Sequence, residues 1–272
     1  MRKGSACVPC LALLLLLHLP GSPAAAQQPP RYRALLGAHY ESALDYLASR
    51  STSLIATLRN AGQDPDLLVP VVFPELVRYS IIRDRIEITG LKVFYVYLGG
   101  EFADFSIGRF QMKPSFVEEL EKAVRRYRLR AFFELLDYGD TRDEREIRRA
   151  RVARLEQEFW QERYLACFGA VLTRRFPHEQ AMKPEERIEF AAAAYNRGFW
   201  KSEGDIRQSA QRALFPYGTE YPGLQYRYSD VAVGFYLHEW PEMTRSCMPV
   251  QPGRSLRVSE IPHRPDSPRR ER

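Results

Sequence analysis

The stretch FPELVRYS (73–80), read together with SIGRFQMKPSF (106–116), decides how this chain is organised. The first piece sets one acid, Glu75, among Val71, Val72, Phe73, Leu76 and Val77. A carboxyl in such surroundings is partly desolvated and keeps its proton closer to neutral pH, as acid catalysis requires. Arg78, three residues on, acts in the opposite sense if it folds back over the carboxylate. The second piece carries a turn-forming Gly108, an amide at Gln111 and a proline at Pro114, in a G-x-x-Q-x-x-P spacing. A glycine turn followed by a helix accounts for Gly108 and Pro114. It does not call for Gln111.

Working outward, the apolar residues Leu35, Leu36, Ala43, Leu44, Leu47, Ile55 and Leu58 recur at helical spacing and predict a helix over 32–58. A turn at Asn60-Ala61-Gly62 follows, and Asp64-Pro65-Asp66 starts the next helix. Pro70 and Pro74 interrupt that segment, so the helix is either kinked or restarted near Pro74. Further helices are expected over 83–98, ending at Gly99-Gly100, and over 115–135 and 142–172. In the first of these, Ile88, Leu91, Val93, Phe94 and Tyr95 offer an apolar face. The last is laced with opposite charges three or four apart and reads as a solvated face, with Phe159, Trp160, Leu165 and Phe168 assigned to the core. Lys183-Pro184-Glu185-Glu186 opens a helix containing AAAAYNRGF, and a final helix covers Asp230–Trp240. With no long alternating pattern, the chain reads as mainly α with one short hairpin.

The ends read differently. Arg2 and Lys3, the apolar run Leu11–Leu19 and Ala24-Ala25-Ala26 predict an export signal over 1–26. An apolar run of about nine residues is too short to span a bilayer, which takes roughly 20, and no other stretch is long enough. No membrane span is therefore expected after signal cleavage. Residues 30–248 are read as one domain, and 249–272, rich in Pro and Arg, as a disordered tail. Without Arg2 and Lys3 the formal charge falls from +6 to +4. The basic residues interleave with acids, which suits an anionic surface and excludes a nucleic-acid stripe. Cys167 and Cys247 remain for a disulfide, although spacing does not say whether they meet. His39, His178 and His238 are too scattered for a metal site, and no cofactor motif is present.

Two further segments complete a pattern: Ala194-Tyr195-Asn196-Arg197-Gly198, and Tyr226-Arg227-Tyr228-Ser229-Asp230-Val231. The GxxQxxP stretch resembles the GLMQxxPxT block of lytic transglycosylases and goose-type lysozymes, and the other two are similar to that family's AAYNAG segment and its tyrosine-bearing last helix. Arg109 and Phe110 stand where the family has Leu-Met, and Lys113 where it often has an apolar residue. The four pieces occur in the family's order, from Glu75 to about Trp240. The resemblance implies a lysozyme-like helical domain with an open glycan cleft, acting on peptidoglycan in the periplasm or outside the cell. It implies Glu75 as catalytic acid, with Ser106, Gly108, Gln111, Tyr195, Asn196 and Tyr228 on the substrate side. Phe110, Tyr195 and Tyr228 are expected to supply ring faces for sugars. A lytic outcome needs no second carboxylate. A hydrolytic one does, and Asp84, Glu87, Glu101 and Asp104 are the nearby candidates. A non-catalytic peptidoglycan-binding scaffold of the same fold is the remaining alternative.

Overall fold

A computed structural model describes residues 31–82, 88–100, 105–216 and 224–247, with the backbone alone at 82, 88–91, 246 and 247. The export signal over 1–26, the tail over 249–272, and Asp84, Glu87, Glu101 and Asp104 lie outside the described residues. So does the side chain of Cys247, while Cys167 is a buried free thiol. The described chain is mainly helical, with one two-stranded antiparallel pair, Ala213–Phe215 (β1) and Tyr226–Arg227 (β2).

The central element is α2, Pro65–Ile82. Val69, Val71, Val72, Phe73 and Val77 are fully buried on it, so it is apolar all round and enclosed by its neighbours. It runs unbroken through Pro70 and Pro74. Each proline deprives a carbonyl one turn earlier of its donor, a loss of roughly 3 kcal/mol in an isolated helix. Here enclosure on every side outweighs that loss. Asp64 caps the start by accepting from the Asp66 N–H at 3.0 Å. Around α2 pack α1 (Tyr32–Asn60), α7 (Pro184–Arg197) and α9 (Tyr228–His238). Phe73 is stacked on Phe235 at 3.9 Å and meets Tyr40 edge-on at 4.8 Å, which joins α1, α2 and α9. From α10 (Trp240–Cys247), Trp240 Nε1 donates to Asp66 at 2.8 Å. Gly37, at φ +52 and ψ −130, puts a break in α1.

The second half consists of α3 (Ile88–Leu98), α4 (Pro114–Tyr127), α5 (Glu144–Leu155) and α6 (Glu158–Arg175), with α8 (Glu203–Ala210) against α7. Two long helices expected from sequence are each divided. The first ends at Tyr127, where Arg128 takes a left-handed conformation at φ +54, and a 3-10 segment covers Arg130–Leu136. The second breaks at Glu156-Gln157 into α5 and α6. The apolar face expected on α3 is also divided. Tyr95 is buried, while Val93 and Phe94 are 53% and 55% exposed.

The charge-laced segment is not simply a solvated face. Arg151 on α5 is buried, and its guanidinium binds both oxygens of Glu121 at 3.0 and 2.8 Å, Glu118 at 3.0 Å and the Tyr95 hydroxyl at 2.6 Å. Tyr138 also donates to Glu121. Glu162 is likewise buried, accepting from Thr57 at 2.9 Å. Phe159, by contrast, faces solvent and is no core residue. Charge spacing along a helix does not reveal which charges a neighbouring helix will cover. Arg151→Met strands Glu121 in the interior without its cation and is expected to lower stability by about 3–5 kcal/mol, measured by urea unfolding at pH 7. Lys122→Ala, at the exposed pair with Glu119, is expected to cost less than about 1 kcal/mol.

Candidate functional site

Glu75 sits midway along α2, and its side chain is only 3% exposed. Burial pushes its carboxyl above the usual range, against opposing pulls from Arg78, Tyr228 and Lys113. Arg78, one turn on, does fold back: its Nη1 lies 2.8 Å from both Glu75 oxygens. The rest of the guanidinium is fixed from the hairpin side. Its Nε donates to the Pro216 carbonyl at 3.2 Å, and its carbon lies 5.3 Å from the Phe215 ring centre and 5.7 Å from that of Tyr228. The Tyr228 hydroxyl donates to the Val71 carbonyl at 3.0 Å.

The turn opposite is built by Ile107 and Met112, whose backbones exchange hydrogen bonds of 2.9 and 3.2 Å around the loop Gly108–Gln111. Gly108 has φ +71, and a side-chain carbon there would fall 1.8 Å from Nε2 of Gln161. Only glycine leaves room for that amide, which accepts from the Phe110 N–H at 2.8 Å and donates to the Leu155 carbonyl at 2.7 Å. Gln111 also has positive φ, +47, unusual for a residue with a Cβ. Its Nε2 donates to the Gly108 carbonyl at 2.8 Å, while its buried Oε1 has no partner among the described residues. Pro114 then opens α4 at the first helical position. From the last turn of α7, the Tyr195 hydroxyl donates to the Phe110 carbonyl at 2.8 Å, and its ring packs on Phe116 and Phe168. Burial, with Glu75 nearby, pushes the Tyr195 phenol up.

These parts enclose a cavity of about 220 Å³ lined by Glu75, Arg78, Ser106, Gln111, Lys113, Tyr195, Asn196 and Trp200, among others. Of the residues expected from sequence, Glu75, Ser106, Gln111, Tyr195 and Asn196 therefore come together on one cavity. Gly108 and Tyr228 do not line it. Gly108 admits Gln161 beneath the turn, and Tyr228 stands behind the acid. The expected ring faces are also placed differently. Phe110, Tyr195 and Tyr228 are 1%, 6% and 5% exposed, so their faces are committed to the core. The half-buried ring on the cavity wall is Trp200, packed across Gly198, where a side-chain carbon would lie 2.7 Å from it. Its position two residues past the helix-ending glycine was the available signal. Nothing in the sequence marked Gln161. Arg109, a departure from the resembled block, points away from the cavity toward the Tyr79 and Tyr46 rings at 4.6 and 5.0 Å.

Chemically, the arrangement offers one buried carboxyl able to give and take a proton, one guanidinium on it, and polar groups around a small cleft. Among the described residues no cluster of His, Cys, Asp or Glu is placed to hold a metal, and no helix is long and apolar enough to cross a membrane. Comparison with known families, with curated proteins and with solved structures finds no match. Gly108→Ala combines a left-handed Cβ with displacement of Gln161. It is expected to cost about 2–5 kcal/mol, read as a fall in the urea midpoint.

Proposed function

We propose that the protein is a lysozyme-like enzyme of the lytic transglycosylase type, cleaving the β-1,4 bond between N-acetylmuramic acid and N-acetylglucosamine in peptidoglycan. The observation that carries this reading is convergence. Residues from segments far apart in the chain, Glu75, Ser106, Gln111 and Tyr195-Asn196, line one cavity with the acid buried in its wall. In the proposed reaction protonated Glu75 gives its proton to the glycosidic oxygen as the C1–O bond breaks. The resulting carboxylate takes the proton of the muramoyl C6 hydroxyl, and that oxygen closes on C1 as a 1,6-anhydro ring. Trp200 would give the sugar an apolar face, and the unpartnered Gln111 Oε1 would accept from a sugar hydroxyl or amide.

Glu75 is the one carboxyl among the described residues lining the cavity. The lytic route needs this acid alone, whereas the hydrolytic one needs a second carboxylate roughly 6.5–9.5 Å away to activate water. Export by the segment read as a signal would deliver the enzyme to the periplasm or the outside, where peptidoglycan lies. The observation that favours a second reading, a non-catalytic peptidoglycan-binding scaffold, is the close pairing of Arg78 with both Glu75 oxygens.

Incubation with peptidoglycan sacculi and mass spectrometry of the soluble products separates these readings. Anhydromuropeptides are expected, and Glu75→Gln is expected to lower their release by about 10²–10⁴-fold. Products of hydrolysed mass point to a lysozyme-type hydrolase, and binding without release to the scaffold. A pH profile gives an independent check. The general acid must be protonated, so activity falls as pH rises through the Glu75 pKa. Arg78 holds that pKa down, so Arg78→Met is expected to move the alkaline limb to higher pH.

A further inference from the structure

A second, larger cavity of about 550 Å³ lies between α4 and the segment that leads into α5. Its floor is the Arg151 cluster already described, in which one guanidinium is shared between Glu118 and Glu121 and one negative charge is left over. At the mouth, Glu144 pairs with Arg148 at 3.3 Å and Lys122 with Glu119 at 2.7 Å. Two lining guanidiniums, Arg125 and Arg142, then remain without an ion pair among the described residues. Among the described residues five cations and three carboxylates line the cavity, and with Glu119 set against Lys122 the surplus is one positive charge, on the side of Arg125 and Arg142. Paired oxygens of a carboxylate suit an unengaged guanidinium better than any other group in a peptide.

This cavity adjoins the Glu75 cleft. Gly100 lines it, and a side-chain carbon on Gly100 would lie 3.8 Å from Cβ of Ser115, which lines the cleft. Helix α4 spans both, with its first turn on the cleft and its later turns on the second cavity. From Ser115 to Arg125 the helix rises about 15 Å. A muramoyl residue carries a short peptide stem with free carboxylates, and an extended tetrapeptide reaches about 13–14 Å. The lengths match.

We propose that this second cavity binds the carboxylate-bearing peptide stem of the glycan strand seated in the Glu75 cleft, with Arg125 and Arg142 as the anchoring residues. The assignment rests on the reading of the cleft as a peptidoglycan site. It makes the enzyme selective for glycan that still carries stems.

The test compares stem-bearing glycan strands with strands stripped by an amidase, using the full chain and the double variant Arg125→Ala/Arg142→Ala. Wild type is expected to show the lower KM on stem-bearing strands. The double variant is expected to raise that KM about tenfold, equivalent to about 1.4 kcal/mol, and to leave stripped-strand kinetics within about twofold. Equal KM values for the two substrates in wild type, or an equal loss on both in the variant, overturns the proposal. If neither substrate is cleaved, the enzymatic reading fails and a titration of the full chain with free stem tetrapeptide, followed by NMR, decides the cavity separately. Shifts at Glu121, Tyr138 and Ile147 that vanish in the double variant support it. Their absence overturns it.

Discussion

A carboxylate removed from water must either take up a proton or meet a cation, and Glu75 is held between these two outcomes. Burial favours the neutral acid, while Arg78 at 2.8 Å favours the charged one. Much of the surrounding structure follows from keeping that balance fixed. The guanidinium is immobilised by the Pro216 carbonyl and by two rings, so it cannot swing out into solvent at little cost. The acid is carried on a helix enclosed on every side, which holds the carboxyl in place more firmly than a loop would. Two prolines inside that helix are tolerated for the same reason.

The turn over 107–112 shows a related economy. Gln111 is held at φ +47 with a buried oxygen that no described residue satisfies, and such an acceptor costs about 1–3 kcal/mol. The strain persists because the turn is over-determined. The Ile107–Met112 bridge closes it, Gln161 fills the space left by Gly108, and Tyr195 binds the Phe110 carbonyl. Strain of this sort, enforced from three sides, is characteristic of ligand sites. On the proposed reading the missing partner of Gln111 is the sugar.

The sequence made the local grammar legible. The start of α2 at Asp64-Pro65, the start of α7 at Lys183-Pro184, and the order of the acid, the glycine turn and the Tyr-Asn pair could all be read from residue types. What escaped was decided by neighbours distant in the chain. Arg128 ends α4 in a left-handed turn without being glycine, so no composition signal marks the break. Arg151 and Glu162 look like surface charges in a charged helix, and only α1 and α4 packing over them makes them interior. Gln161 supports the 107–112 turn from 51 residues away, a distance over which no spacing rule operates. Tyr195 lines the cavity and Tyr228 does not, and in both the ring expected to face a sugar is spent on packing while the hydroxyl meets a backbone carbonyl.

The departures from the resembled block carry a physical meaning of their own. Arg109 lies over Tyr46 and Tyr79, with Glu158 at 3.9 Å, and so joins the turn to α1, α2 and α6 without entering the cleft. Lys113 does line the cleft, and its charge, like that of Arg78, favours ionised Glu75. If Glu75 is the general acid of the proposed reaction, two cations near it are a handicap only if the proton must be stored. They are an advantage at the moment of transfer, because they stabilise the carboxylate that the departing proton leaves behind. In water that benefit would be screened away. In a buried wall it is not, and burial restores the affinity for the proton that the cations take away. Desolvation and positive charge are therefore not rival explanations of the site, but the two halves of one poised acid.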